Sequence, residues 1–298
     1  MIDYEKKGFF NIHTLVNKDN ANISNSDNKH IYSQLMSGNG NSPMLGYLLN
    51  MNKQNLNDFK SIMFYNESNL ASLINEAREM EELIDSSTLF LSKTNKKIKT
   101  HFSKVLEQRH STRNFVYETM DLSTFSNIIQ FSFGLSTRKL VYNDLQSTTR
   151  HYSSGGGLYP IDVFLYINNI SGIAKGIYKY QPYTHSLHPL DVDKIDVESF
   201  FVGDNIDTSN MNFCVFFGYS INKNYVKYGE LSLLNTFVEL GGISHNFDLV
   251  CHSVHYTSCP IAGFNKSYIE KLLYLDGIND HIIFTNICGK ELYFYEKF

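Results

Sequence analysis

Five consecutive residues, Arg109-His110-Ser111-Thr112-Arg113, set two guanidiniums, an imidazole and two hydroxyls side by side. In an extended segment alternate side chains point the same way, so Arg109, Ser111 and Arg113 can converge on one phosphate through charge-assisted hydrogen bonds. The plainer reading is a solvated surface run. About forty residues on, Ser153-Ser154-Gly155-Gly156-Gly157-Leu158-Tyr159-Pro160 removes three Cβ atoms and bares backbone N–H groups to a flat ring or a pyrophosphate. It lacks the Gly-x-Gly-x-x-Gly spacing and comes after no clear strand, so an ordinary turn is the alternative. Cys251, His252, His255 and Cys259 are metal-ligand types, but their spacing matches no zinc site. They read as core, as does His245 on an apolar stripe, and no metal is expected.

These residues need elements to hold them. From Ser68, apolar residues at 70, 73, 74, 77, 80, 83 and 84 recur at helical spacing, with Ser68 as cap. A second helix runs from Lys104 toward Arg109. A third begins after Asp121, with Ser123 as N-cap and Gly134 near its end, which makes residues 109–113 a connection between helices. Residues 161–167 read as a strand, 176–180 and 186–190 as a hairpin, and 211–219 as a fully buried strand. Residues 230–254 form a long helix whose stripe is Leu231, Leu234, Phe237, Val238, Gly241, His245 and Leu249. Its Gly241-Gly242 pair admits a second backbone closely. Residues 281–288 are the last strand. Without regular βαβ alternation, the order is α+β: a mixed central β-sheet flanked by helices.

A 298-residue chain that is 42% hydrophobic can bury a sizeable core. Its formal charge of −4, with no like-charge block beyond Lys96-Lys97-Ile98-Lys99, leaves no nucleic-acid footprint. No stretch approaches the ~18 apolar residues of a membrane helix, and no apolar signal lies behind the start, so a soluble cytoplasmic protein is expected. Four cysteines without Cys-x-x-Cys spacing suit reduced, buried thiols. Residues 1–100, rich in Asn, Ser and Gly up to about 65, read as a partly helical N-terminal extension suited to docking. Residues 101–298, which carry the regular strands and helices, read as the main domain.

Taken in order, Arg-His-Ser-Thr-Arg-Asn-Phe at 109–115, the segment Arg150 to Pro160, Gly-Ile-Tyr-Lys-Tyr at 176–180, the Gly241-Gly242 helix and Ser258 to Phe264 resemble the nitroreductase superfamily. The likeness is to its SagB-type, McbC-like members, the azoline oxidases, and it covers roughly residues 100 to 298. The resemblance implies a nitroreductase-like fold and a homodimer with FMN at the subunit interface. Arg109, Ser111 and Arg113, with His110 nearby, match the family's phosphate and ribityl contacts. Ser153, Ser154 and Gly156 match the segment that reaches the flavin from the partner subunit. Gly263, with Ala262 beside it, matches the residue whose N–H faces flavin N5, where a donor stabilises the reduced ring. Lys290 is what remains of a C-terminal phosphate contact, and Lys227-Tyr228 matches the pair implicated in azoline catalysis.

Turning a thiazoline or oxazoline into an azole removes a hydride and a proton from adjacent ring carbons, so the site needs a hydride acceptor and a base. A desolvated Lys227 has a lowered pKa and can be that base; as a cation it would lower the pKa of Tyr228 instead. The family's arginine-rich continuation is replaced here by Gly229-Glu230-Leu231-Ser232, so those substrate contacts do not carry over. The implied function is FMN-dependent oxidation of peptide azolines to azoles in ribosomal peptide natural-product biosynthesis, beside a cyclodehydratase (heterocyclase) complex and its precursor peptide. The alternatives are an NAD(P)H-dependent nitro or quinone reductase and a largely non-catalytic scaffold of a heterocyclase complex.

Overall fold

The run Phe213-Cys214-Val215-Phe216-Phe217 can offer neither face of a strand to water. In the computed structural model, which describes Tyr47, Lys60, Met63 and residues 77–92, 98–142, 145–203 and 205–291, it lies at the middle of a sheet. That strand, β7 (Phe213–Ser220), is buried along its whole length. The others are β1 (Leu89–Phe90), β4 (Ile161–Ile167), β5 (Gly176–Gln181), β6 (Ser186–Pro189), β8 (Thr257–Ile261) and β9 (Asp280–Gly289), in the order β1-β6-β5-β4-β7-β9-β8. The ladders are antiparallel. Parallel pairing enters as isolated bridges, Ser111 to Ser258 and Met120 to Ile170.

The period of two sorts β7 into two cores. Phe213, Val215 and Phe217 join Val163 and Leu165 of β4 on one face, under α2 (Leu122–Phe133) and α4 (Leu231–Ser253). Cys214 and Phe216 join Phe164 and Tyr166 on the other, against Phe200 and α5 (Lys266–Leu272). Phe133 of α2 and Phe247 of α4 stack with centroids 5.4 Å apart, fixing the two helices over the sheet. Truncating either ring costs about 3–5 kcal/mol. The remaining helices, α1 (Phe102–Gln108) and α3 (Tyr225–Tyr228), are short and belong to the site.

The strands expected at 161–167, 176–180, 186–190, 211–219 and 281–288 are present, as is the long helix. Three expectations are corrected. The N-cap of α2 is Asp121, whose carboxylate accepts the Thr124 N–H at 2.9 Å, and Ser123 lies inside the helix. The stripe of α4 faces outward: Phe237 is 49% and Val238 69% exposed, Gly241, Gly242 and His245 are exposed, and a Cβ on either glycine would meet no other element within 4 Å among the described residues. The buried face instead carries Ser232, Thr236, Glu239, Ser244 and Asp248 among Leu240, Ile243 and Phe247. His245 is therefore no core histidine. The hairpin β2 (Leu135–Tyr142) with β3 (Leu145–Arg150), the strand β8 and the helix α5 were not anticipated.

N-terminal to residue 101, the helix expected from Ser68 is described only at its last turn, 77–80, and otherwise lies outside the described residues, as does most of 1–76. Residues 78–90 are stitched to the sheet. The Arg78 guanidinium donates to the carbonyls of Leu158 and Tyr159, and Glu82 accepts the N–H groups of Tyr183 and Thr184 at 2.7 and 2.8 Å. β1 then pairs with β6. All four cysteines are buried free thiols, and no His/Cys/Asp/Glu group suited to a metal occurs among the described residues. No helix among them is long and apolar enough to cross a membrane.

Candidate active site

The chain leaves α1 at Arg109 and runs along the edge of β8, where Thr112 N–H donates to the Ser258 carbonyl at 3.4 Å. Ser111, Thr112, Arg113, Phe115, Asn205 and Glu291 line a pocket of about 560 Å³ there, within the range of small-molecule sites. Arg113 is exposed in it and forms no salt bridge among the described residues. Arg109 does not line that pocket. Its guanidinium is held by Asp248 of α4 at 3.1 Å. Burial raises the Asp248 carboxyl, but His252, Ser258 and Arg109 outweigh it and hold the group below its ordinary value.

His252 Nε2 accepts the His110 N–H at 3.2 Å, which places the His252 proton on Nδ1, 2.9 Å from the Asp248 carbonyl. The His110 ring meets Glu291 at 2.6 Å. Partial burial works against its proton, yet the Gln108 carbonyl and Glu291 carry its pKa above the ordinary value. Thr112 Oγ1 donates to the other Glu291 oxygen at 2.9 Å. The pocket thus offers Ser111 and Arg113 to an anion while Glu291 opposes one. Its volume and its unpaired guanidinium fit the phosphate end of FMN.

From Ser258, β8 leads directly to Ala262 and Gly263, both exposed. The Gly263 carbonyl accepts Val202 N–H at 2.9 Å, while its own N–H has no acceptor among the described residues. Lys290 points elsewhere: Nζ donates to the His255 carbonyl at 3.0 Å and lies 4.8 Å from the Tyr256 ring centroid.

A second cluster forms around the glycine loop. Gly156 has φ +63°, and a Cβ there would meet Lys227 Nζ and the Tyr228 hydroxyl, each at 2.5 Å. Glycine is what lets both side chains reach the loop. Asn224 anchors α3 beneath them: its side-chain amide donates to Ser232 O at 3.1 Å and Thr236 Oγ1 at 2.9 Å, and its oxygen accepts from Tyr219. Lys227 is 4% exposed, and burial pushes its ammonium pKa down. Burial also pushes Tyr228 up, so the phenol is not acidified. Ser153 is exposed, whereas Ser154 accepts the Tyr159 N–H at 2.8 Å and donates to Glu239 of α4. Neither serine nor Gly156 lines the Ser111 pocket.

Three carboxylates of these clusters were not singled out from sequence. Glu239 is 3% exposed, one of its oxygens has no hydrogen-bond partner among the described residues, and burial pushes its pKa up to about 7 despite Ser154 and Arg150. A lone acid within Phe237-Val238-Glu239-Leu240 was a legible sign of it. Asp248 sits one helical turn before His252, a weaker sign. Glu291 had none.

A model of the nitroreductase family matches residues 106–290, more than half of the chain. The microcin B17-processing protein McbC of Escherichia coli is 29% identical over 139 residues, 45% of this chain and 51% of McbC, so the match spans about half that protein's length. A putative nitroreductase of Ralstonia eutropha superposes with a TM-score of 0.56 at 18% identity, over 71% of this chain and 93% of that one. A chain of the E. coli microcin synthetase McbBCD complex with truncated pro-MccB17 bound superposes with a TM-score of 0.50 at 23% identity, over 71% and 80%. The likeness of fold and the matched segment, which spans both the Ser111 pocket and the glycine loop, lead to one conclusion: the chain belongs to the nitroreductase family.

Proposed function

We propose that this protein oxidises azoline rings in a ribosomal peptide to azoles, with FMN as its cofactor, as part of a heterocyclase complex. The observation that carries the reading is Gly156 seated against both Lys227 Nζ and the Tyr228 hydroxyl. FMN, when bound, supplies the hydride acceptor. Ser111 and Arg113 would hold its phosphate, and the Gly263 N–H would face the ring. Lys227, buried and of lowered basicity, is suited to take the ring proton, with Tyr228 beside it as donor or relay. Similarity to McbC, and to a synthetase complex solved with a pro-peptide, supports a peptide substrate and a heterocyclase partner.

A homodimer fits the same surface. Two clusters that the fold keeps separate in one chain complete each other if the glycine loop reaches a partner's flavin, and the outward stripe of α4 supplies an apolar face to bury.

The purified protein is expected to be yellow. Lys227→Ala and Tyr228→Phe should retain FMN and lose about 10²–10⁴ in rate of azole formation, followed as loss of about 2 Da per ring by mass spectrometry. Wild-type rates in both flavin-loaded variants would sink the reading. Rapid bleaching by NADPH without peptide would favour a nitro or quinone reductase.

A further inference from the structure

Arg150 opens the 150–160 motif, and beyond its field on Glu239 it takes no part in either cluster above. Its guanidinium lies 4.8 Å from the Tyr159 ring centroid and donates to the Tyr152 hydroxyl at 2.7 Å. Arg78 reaches the same stretch from the N-terminal side, on the carbonyls of Leu158 and Tyr159. The two arginines line one cavity of about 130 Å³ with Lys179, Lys223, Asp162 and His188, which shares no residue with the Ser111 pocket.

The charges in this cavity do not balance locally. Asp162 is taken by Lys223 at 2.5 Å, with Lys179 at 4.0 Å. Glu82 is taken by the Tyr183 and Thr184 N–H groups and the Thr184 hydroxyl, and Glu81 is exposed. Among the described residues, neither Arg78 nor Arg150 has a carboxylate in salt-bridge contact. Burial, and then repulsion from Arg150, push the Arg78 pKa down, as expected for two cations enclosed together. His188 Nδ1 is buried without a hydrogen-bond partner among the described residues. Lys179 is 45% exposed, so the cavity opens to solvent. Asp162 and Glu81 act on Arg78, and Glu239 on Arg150, only at a distance. Enclosed guanidiniums with no carboxylate in contact are unfavourable, and a planar or tetrahedral oxyanion satisfies their forked donors two at a time.

We propose that this cavity binds a small oxyanion, a carboxylate or a phosphate, held by Arg78, Arg150 and His188. Its occupant would tie the segment at 77–83 to the loop that carries Gly156. The inference does not depend on the azoline reading. The anion has two sources, a free phosphate or a peptide carboxylate, and calorimetry on the full chain separates them.

Titrations are made in an Arg113→Gln background, which removes the cation of the other pocket, with inorganic phosphate in one arm and N-acetyl-aspartate amide in the other. One arm or both should show a single site, weakened by about tenfold or more when Arg78→Gln or His188→Phe is added. Circular dichroism checks that each variant is folded, and Arg78→Gln, on a half-exposed segment, is the safer of the arginine changes. Binding by phosphate alone identifies a free anion, and binding by the aspartate compound alone a peptide group. No heat in either arm, or binding as strong in Arg78→Gln and His188→Phe as in the parent, overturns the proposal.

Discussion

At the scale of single residues, Glu239 has the most to report. Its carboxyl would lose a proton near 4.5 in the unfolded chain but keeps it to about 7 when folded. Between those values the folded state binds more protons, so native stability falls as pH rises and levels off above 7, by a total of about 3 kcal/mol. Glu239→Gln keeps a partner for Ser154 and has no charge to desolvate. Its stability relative to the parent should therefore grow from pH 4.5 to 7 and then stay constant in urea melts; a pH-independent difference would show that Glu239 does not hold the proton. Glu291 is the other informative acid, because it puts a negative charge into the Ser111–Arg113 pocket. Glu291→Gln should tighten FMN binding several-fold at low salt, by fluorescence titration, and the gain should shrink as salt screens it. The side chains of both clusters were legible from type and spacing, but their carboxylate partners were not. Asp248 lies 139 residues from Arg109 and Glu291 179 from Thr112, and local sequence does not announce such pairings.

At the scale of elements, the strands were legible where apolar runs left one outcome, as in β4 and β7, whose residues fill cores on both faces. The extent of α4 was legible and its orientation was not. Counting hydrophobic side chains chose the stripe with Phe237 and Val238, whereas the buried face is rich in hydrogen-bonded polar groups, among them Asn224's partner Thr236 and Ser154's partner Glu239. The β2–β3 hairpin mixes polar and β-branched residues with no clean alternation, so its pattern was mute. Packing between β9 and the 109–116 segment yields a sharper expectation. A Cβ on Gly289 would sit 2.5 Å from the ring of Phe115, which is buried beside the pocket. Gly289→Ala should cost about 1–3 kcal/mol in thermal melts. It should also weaken FMN binding while leaving the Lys227 cluster in place.

At the scale of the whole molecule, the outward stripe of α4 is the feature a lone chain explains least. If it is the subunit interface, Phe237→Glu with Val238→Glu should convert dimer to monomer in sedimentation runs, and FMN should be lost with it because each site would lack its second cluster. A monomer that holds FMN as tightly as the parent would separate the flavin site from the interface.

The pairing of β1 with β6 has a consequence for synthesis. Leu89 meets Leu187, 98 residues later in the chain. At roughly 5–20 residues per second, the strand that closes the sheet's edge leaves the ribosome some 5–20 s before its template exists. Through that interval the backbone of Leu89 and Phe90 and the side chain of Leu91, buried only in the finished fold, travel without their partners.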